Sequence, residues 1–197
     1  MESTFEGLIR SNYPTEKFMV VLGVEERDKA NGLAIGERIR QKYGHKFFQF
    51  WVTVHPFGLP NEQPGKGSNE AWAAREAKTK IIDPLRLPYA EILVSVFDAD
   101  TQVAPEYFGI LAHAFLSAPH PLHSSYQPIP LFTNNIYQAP ALARVIAFSS
   151  SFWHMIQQSR PERLTTFSSH AMPFKALVEV GFWRTSIVSE DSQIFWQ

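Results

Sequence analysis

The sequence contains no cysteine, almost no net charge and no long apolar run. A chain without cysteine cannot be a disulfide scaffold, and this composition suits a reducing compartment. The net charge of −1 offers no general attraction for nucleic acid, so we expect no nucleic-acid partner. No segment approaches the roughly 20 apolar residues that cross a bilayer, and the start at Met1–Glu6 lacks signal-peptide features. We therefore expect these 197 residues to be soluble.

The composition is that of one globular domain, with 45% hydrophobic and 19% charged residues. Apolar patterns alternate between strands and helices without repeats or an internal boundary. They predict strands at 18–24, 47–54 and 92–97, helices near 28–43, 68–80, 104–116, 141–158 and 173–180, and a short extended piece at 128–133. This alternation is typical of βαβ units in an α/β fold with a mainly parallel sheet, in which ligands bind at the carboxyl ends of the strands.

The third predicted strand ends in two acids, Asp98 and Asp100. If the strand geometry persists, both carboxylates point the same way and repel each other unless a cation lies between them. Mg²⁺ and Mn²⁺ accept such carboxylates together with phosphate oxygens, so this pair is a candidate holder for a metal–nucleotide diphosphate. The alternative is a strand followed by an Asp-rich turn.

A Gly-rich stretch from Pro64 to Trp72 is the second candidate site. It is not a phosphate loop, because Pro60 and Gly67 stand where that motif needs Gly and a hydroxyl residue. A Gly-rich turn into a helix, with Lys66 beside it, can still receive an anion. The alternative is a flexible turn that Ser68 or Asn69 caps.

A third stretch runs from Phe167 through Trp183 to Ser189, Glu190 and Asp191. Ser189 is placed to cap a helix that the two acids begin, although acids also favour helix N-termini for dipole reasons alone. The pair His120 and His123 suggests metal hydrolysis only weakly, since no third ligand is nearby in sequence.

In this order the stretches resemble the family-2 glycosyltransferases, which are inverting enzymes with the GT-A nucleotide-sugar-binding fold. The similarity covers nearly the whole chain. It rests on Leu8–Pro14, on Gly65 to Trp72, on Phe97 to Thr101, and on Ser169 to Asp191 with its Glu-Val-Gly-Phe-Trp and Glu-Asp elements.

The resemblance implies a role for each matched residue. Asp98 and Asp100 would bind Mg²⁺ or Mn²⁺ and the donor diphosphate, Asp191 would be the general base, and Glu190 would orient or bind. The remaining candidates are Lys66 and Asn69 on the nucleotide side, Glu25, Glu26 or Asp28 near the base or ribose, and Ser169 and His170 facing the phosphates and acceptor.

The implied activity is metal-assisted transfer of a hexosyl or N-acetylhexosaminyl group from a UDP- or GDP-sugar to a glycan or lipid-linked acceptor, as in polysaccharide biosynthesis. The alternatives are a non-catalytic nucleotide-sugar-binding fragment and a sugar-phosphate nucleotidyltransferase, whose Gly-rich N-terminal signature we do not find.

Relative to that family, the chain lacks the first strand with its nucleotide-binding turn and also the C-terminal region. We therefore expect an internal piece of a longer enzyme that acts at the cytoplasmic side of a membrane and is attached through segments outside this chain. By itself the piece should be marginally stable and inactive, with a gap or a substitute strand in the sheet.

Overall fold

The computed structural model describes residues 1–134, 136–160, 167–187 and 189–196, and it shows a mixed α/β protein. The strands are β1 (Met19–Glu25), β2 (Gln49–His55), β3 (Leu93–Ser95) and β4 (Ala171–Pro173). The helices are α1 (Glu2–Ile9), α2 (Lys29–Tyr43), α3 (Lys66–Ala77), α4 (Tyr107–Ser117), α5 (Ala141–Gln158), α6 (Phe174–Glu179) and α7 (Glu190–Gln193). A π-helical turn at Lys78–Ile82 extends α3.

The strands form two separate two-stranded sheets. β1 and β2 are parallel, in a register that places Glu25 opposite His55 at their carboxyl ends. β3 and β4 are antiparallel, and bonds from Val96 N to His170 O (2.9 Å) and from Phe174 N to Ile92 O (2.8 Å) lengthen their ladder. Within the described part of the chain, no strand pairing joins the two sheets.

This arrangement corrects the expectation of one mainly parallel sheet. Only β1 and β2 are parallel, and Asp98 follows an antiparallel strand instead of a central parallel one. The apolar run at 92–97 indicates a buried strand but carries no information on the direction of its neighbour. That neighbour, β4, has only three residues and ends in Pro173, so its sequence gives no strand signal.

Two apolar clusters hold the layers together. The larger one lies between α3, α6 and the β3–β4 sheet, and its most deeply buried side chains are Phe174, Leu177 and Trp183. The smaller one packs α1 and α2 against each other and against Phe47, which precedes β2. Ile39 of α2 is fully buried in it. The larger cluster fixes the segments that carry Lys66, Asp98 and Asp191 against one another.

The predicted helices are confirmed, with shifts of one to three residues at most ends. The helix expected at 141–158 has those bounds, and the one expected near 28–43 is α2. The predicted extended piece at 128–133 is irregular in the structure. Among the described residues, no helix has both the length and the hydropathy needed to span a bilayer.

Helix α2 approaches the parallel sheet closely at Gly36. A methyl group added at that position would lie 2.9 Å from Cγ2 of Val52, a β-branched side chain with little freedom to move. Gly36 therefore sets the distance between α2 and β2.

We expect Gly36→Ala to destabilise the fold by about 1–2 kcal/mol, because the overpacking penalty exceeds the gain in helix propensity. Gly109→Ala in α4 is the matched control, since a Cβ there meets no atom within 4 Å. It should be neutral or stabilise by up to about 1 kcal/mol. Urea unfolding of both variants measures the difference, and equal midpoints would show that the α2–β2 contact relaxes freely.

Candidate functional site

The candidate site is built around the ammonium group of Lys66, the first residue of α3. Its Nζ lies 3.1 Å from Asp98 Oδ1, 3.3 Å from Asp191 Oδ2 and 3.4 Å from Glu70 Oε1. Lys66 Nζ also donates to Ser168 Oγ at 3.1 Å. The fold thus brings one cation and carboxylates from three distant segments of the chain into contact.

The charges at this site shift one another's pKa values. Burial opposes the charge on Lys66, but Glu70, Asp191 and Asp98 outweigh it and raise the pKa of Lys66 above its usual value. Burial raises the pKa of Glu70 to about 8, although Lys66 acts in the opposite direction. Lys66 is therefore charged at neutral pH, and burial makes Glu70 a carboxyl group that gains a proton readily.

Glu190 lies directly beneath the first turn of α3. It is 5% exposed, and burial, together with the neighbouring Asp191, raises the pKa of its carboxyl group. Its side chain occupies the space that a Cβ at position 67 would need, so this close contact requires Gly67. Gly67, the second glycine of the Gly-Lys-Gly sequence, therefore allows close packing against Glu190 and is not part of a phosphate loop.

Glu70, Glu190 and Asp191 offer oxygens that lie within 4.8 Å of one another, a spacing that a metal ion can use. The Lys66 ammonium contacts two of these three residues. The ammonium already balances part of the charge of this group.

His170 supports Asp191 from the buried side. Trp183 Nε1 donates to His170 Nε2 at 3.1 Å, so Nε2 is the acceptor and Nδ1 carries the hydrogen. His170 Nδ1 donates to the Phe167 carbonyl at 3.0 Å and faces Asp191 Oδ1 at 3.4 Å. Burial lowers the pKa of His170, so the ring is a neutral donor with a fixed tautomer.

The segment before β4 contributes two side chains to the site: Ser168 contacts Asp98, and His170 contacts Asp191. Ser168 Oγ donates to Asp98 Oδ2 at 2.6 Å, whereas His170 is fully buried. Ser169 between them has a φ of 70°, in the left-handed region that non-glycine residues rarely adopt. This conformation turns the chain between the two, and it is the kind of strain that folds retain at functional sites.

Two candidates on the nucleotide side lie apart from the ammonium. Asp100 is exposed, and its backbone carbonyl accepts a bond from Asn134 Nδ2 at 2.9 Å. Asn69 lies against Gly23 of β1, and its buried Oδ1 has no hydrogen-bond partner among the described residues. The structure therefore brings Asp98 to Lys66 but leaves Asp100 facing solvent.

A second polar group lies at the carboxyl ends of β1 and β2. His55 is 4% exposed, with Nδ1 3.3 Å from Glu25 Oε2 and Nε2 2.9 Å from Glu62 Oε2. Nearby, Glu26 Oε2 accepts the backbone N–H of Phe57 at 2.8 Å. Asp28 accepts from Asn31 Nδ2 at 3.0 Å, in an exposed turn. Glu25 is thus the least exposed of the three acids proposed for this region.

Sequence reasoning missed several members of both groups. Glu70 follows Lys66 by one helical turn, so the i, i+4 rule could have found it. The register of two parallel strands could have paired His55 with Glu25, because their carboxyl ends meet. Nothing in the sequence indicates that Ser168 contacts Asp98, since 70 residues separate them.

Comparisons with protein-family models, with characterised proteins and with solved structures found no match for this chain. We therefore infer the function from the chemistry of the side chains that the fold brings together.

We expect Glu70→Gln to stabilise the protein increasingly as the pH rises from 5 to 8. The pKa of Glu70 is raised from an ordinary value of 4.5 to about 8. Well below pH 4.5 the carboxyl is protonated in both the folded and unfolded states, whereas above that value only the unfolded state ionises freely. The gain should reach roughly 2–4 kcal/mol near pH 8 and then level off. Thermal melting across this pH range measures it.

Glu37→Gln on α2 is the matched control. Glu37 is exposed, and its hydrogen bond from Arg40 lowers its pKa, so its contribution is lost only under more acidic conditions. The difference in melting temperature between Glu37→Gln and the unchanged protein should stay constant from pH 5 to 8. A constant difference in melting temperature for Glu70→Gln as well would mean that Glu70 is ionised in the folded protein.

Proposed function

We propose that this chain belongs to an inverting, GT-A-type glycosyltransferase of family 2, which transfers a sugar from a nucleoside diphosphate to an acceptor hydroxyl. The observation that supports the proposal most is the contact of Asp98 and Asp191 with the single ammonium of Lys66. Each of the three residues stands in a different motif of the resemblance, and the motifs are far apart in sequence. Such a transferase needs a donor-binding residue and a base in one site, and the contacts of Lys66 with Asp98 and Asp191 support this.

The donor side of the proposed site contains one positive charge, that of Lys66, and is partly open. The side chain of Lys66 is about one-third exposed and stands beside Asp98, whose side chain is nearly half exposed. A nucleoside diphosphate placed there would meet a fixed positive charge close to the bond that breaks.

The proposal includes a divalent ion, which Asp98 and Asp100 would hold. Both oxygens of Asp98 contact Lys66 or Ser168, so the carboxylate would exchange these contacts for the ion. Hard cations such as Mg²⁺ and Mn²⁺ prefer carboxylates together with phosphate oxygens. When bound, such an ion would stabilise the negative charge of the departing diphosphate.

The acceptor side is formed by Asp191. In a single displacement the acceptor oxygen bonds to the anomeric carbon, the bond from that carbon to the phosphate oxygen breaks, and the hydroxyl proton passes to Asp191. The configuration at the anomeric carbon is therefore inverted. His170 and Lys66 hold the two oxygens of Asp191 from opposite sides and fix its orientation toward an acceptor.

The two sheets differ from the continuous sheet of the GT-A arrangement. In that arrangement one strand lies between those corresponding to β1 and β3, which are not paired in the described residues. The nucleotide-sugar-binding alternative shares every donor-side feature and differs only in lacking transfer.

In the intact enzyme we expect Asp191→Asn to reduce sugar transfer by about 10²–10⁴-fold, because the amide cannot accept the hydroxyl proton. Donor binding should change little, since the base acts on the acceptor. The measurements are nucleotide release from a panel of UDP- and GDP-sugars and calorimetric titration with UDP and GDP in the presence of Mn²⁺. Near-normal turnover of Asp191→Asn would refute its role as the base.

Asp98→Asn should act differently and weaken Mn²⁺-dependent nucleotide binding as well as transfer, because it removes one of the two carboxylates that fit the ion. Asp83→Asn is the matched control. Asp83 forms a 2.8 Å ion pair with Lys78, which lies in the π-helical turn at the opposite end of α3 from Lys66. Nucleotide binding without transfer in the intact enzyme would favour the non-catalytic alternative. Unchanged Mn²⁺ dependence in Asp98→Asn would remove the metal from the proposal.

A further inference from the structure

Helix α5 packs against the rest of the protein with its polar side inward. Ser151 is buried, and its hydroxyl donates to the Pro130 carbonyl at 3.0 Å. Gln158 Nε2 donates to the Gln127 carbonyl at 2.9 Å, and the ring of His154 lies 4.8 Å from that of Phe167. Small and polar side chains therefore form the inner seam of this helix, the reverse of the usual pattern in globular proteins.

The outward side of α5 is broad and apolar. Phe152 is 63% exposed and Trp153 59% exposed, and the side chains on the turns around them are equally open. The exposed apolar residues of the helix are Leu142, Val145, Ile146, Phe148, Phe152, Trp153, Met155 and Ile156. Leu131 and Tyr137 in the preceding segment add to this exposed surface. An apolar surface of this extent on a folded protein marks a contact with another apolar phase.

The charge around α5 has one sign. No aspartate or glutamate occurs between Glu106 and Glu162, although the whole chain contains 19 acidic residues. Arg144 in the first turns of the helix and Arg160 just beyond its end are both exposed. An apolar face flanked by cations and free of carboxylates is complementary to a surface of acyl chains and anionic headgroups.

We propose that α5 docks lengthwise on an anionic lipid bilayer, with its Phe and Trp side chains at the boundary between headgroups and acyl chains. A second copy of the chain fits less well, because it would bring further arginines to an interface that has no carboxylate to pair with them. The polar inner seam stays on the protein, so the helix lies along the surface. This docking does not depend on the proposed transferase activity.

The inner side of α5 is connected to the Lys66 site through Gln127. Gln127, whose carbonyl holds the end of α5, accepts the backbone N–H of Phe167 through Oε1 at 2.5 Å. Its Nε2 lies 3.4 Å from the Ser168 carbonyl, and the hydroxyl of Ser168 bonds to Asp98. A bilayer under α5 would therefore lie close to the candidate site, where a lipid-borne molecule could reach it.

Flotation of the 197-residue chain with vesicles tests the proposal. We expect binding to phosphatidylcholine vesicles that contain phosphatidylglycerol, and binding at least several-fold weaker to pure phosphatidylcholine or at high salt. Phe148→Gln with Phe152→Gln should reduce binding about tenfold or more without lowering the melting temperature, because both side chains are exposed in solution. Arg144→Gln with Arg160→Gln should remove the preference for anionic vesicles and leave the apolar face intact.

Phe57→Gln with Leu85→Gln is the matched control, since both residues are exposed apolar side chains outside α5. This variant should float like the unchanged protein. Equal flotation of all variants, or no flotation of the unchanged protein, would overturn the proposal. A concentration-dependent dimer in size-exclusion chromatography that Phe148→Gln with Phe152→Gln abolishes, without vesicle binding, would identify a second copy as the occupant instead.

Discussion

The ammonium of Lys66 is the group on which the arrangement of the site depends. Asp98 and Asp191 approach each other from segments more than 90 residues apart, and their carboxylates would repel without a cation between them. A half-buried lysine in turn loses hydration that only nearby carboxylates can replace. Each charge is therefore stable in its place because the others are present. Glu70, whose pKa is raised by burial, completes the cluster.

A rigid apolar layer lies behind this charged group and restricts it. Trp183 and Phe174 are almost fully buried, and the indole N–H of Trp183 fixes the ring and tautomer of His170. His170 then presents Nδ1–H to Asp191 from the core side. The orientation of the proposed base is thus set by packing, and the charge beside it is set by Lys66. Preorganisation of this kind is what allows a carboxylate to act on one hydroxyl.

The molecule has two surfaces of different character that meet at Gln127. One is the charged site of Lys66, Asp98 and Asp191, and the other is the carboxylate-free apolar face of α5. Hydrogen bonds between the Gln127 side chain and the 167–168 backbone connect them. A transferase with a lipid-linked acceptor would use both surfaces together, since the acceptor would arrive from the bilayer side.

The sequence by itself determined the elements and several members of the site. Hydrophobic periodicity located α2 and α5 and the strand before Asp98, because these patterns report which face of a local segment is apolar. Tertiary structure alone decided that β3 pairs antiparallel with β4, that Lys66 joins Asp98 to Asp191, and that α5 turns its polar side inward. The physical reason is that strand direction, long-range ion pairs and the covered side of an amphipathic helix depend on partners far along the chain, which no local pattern specifies.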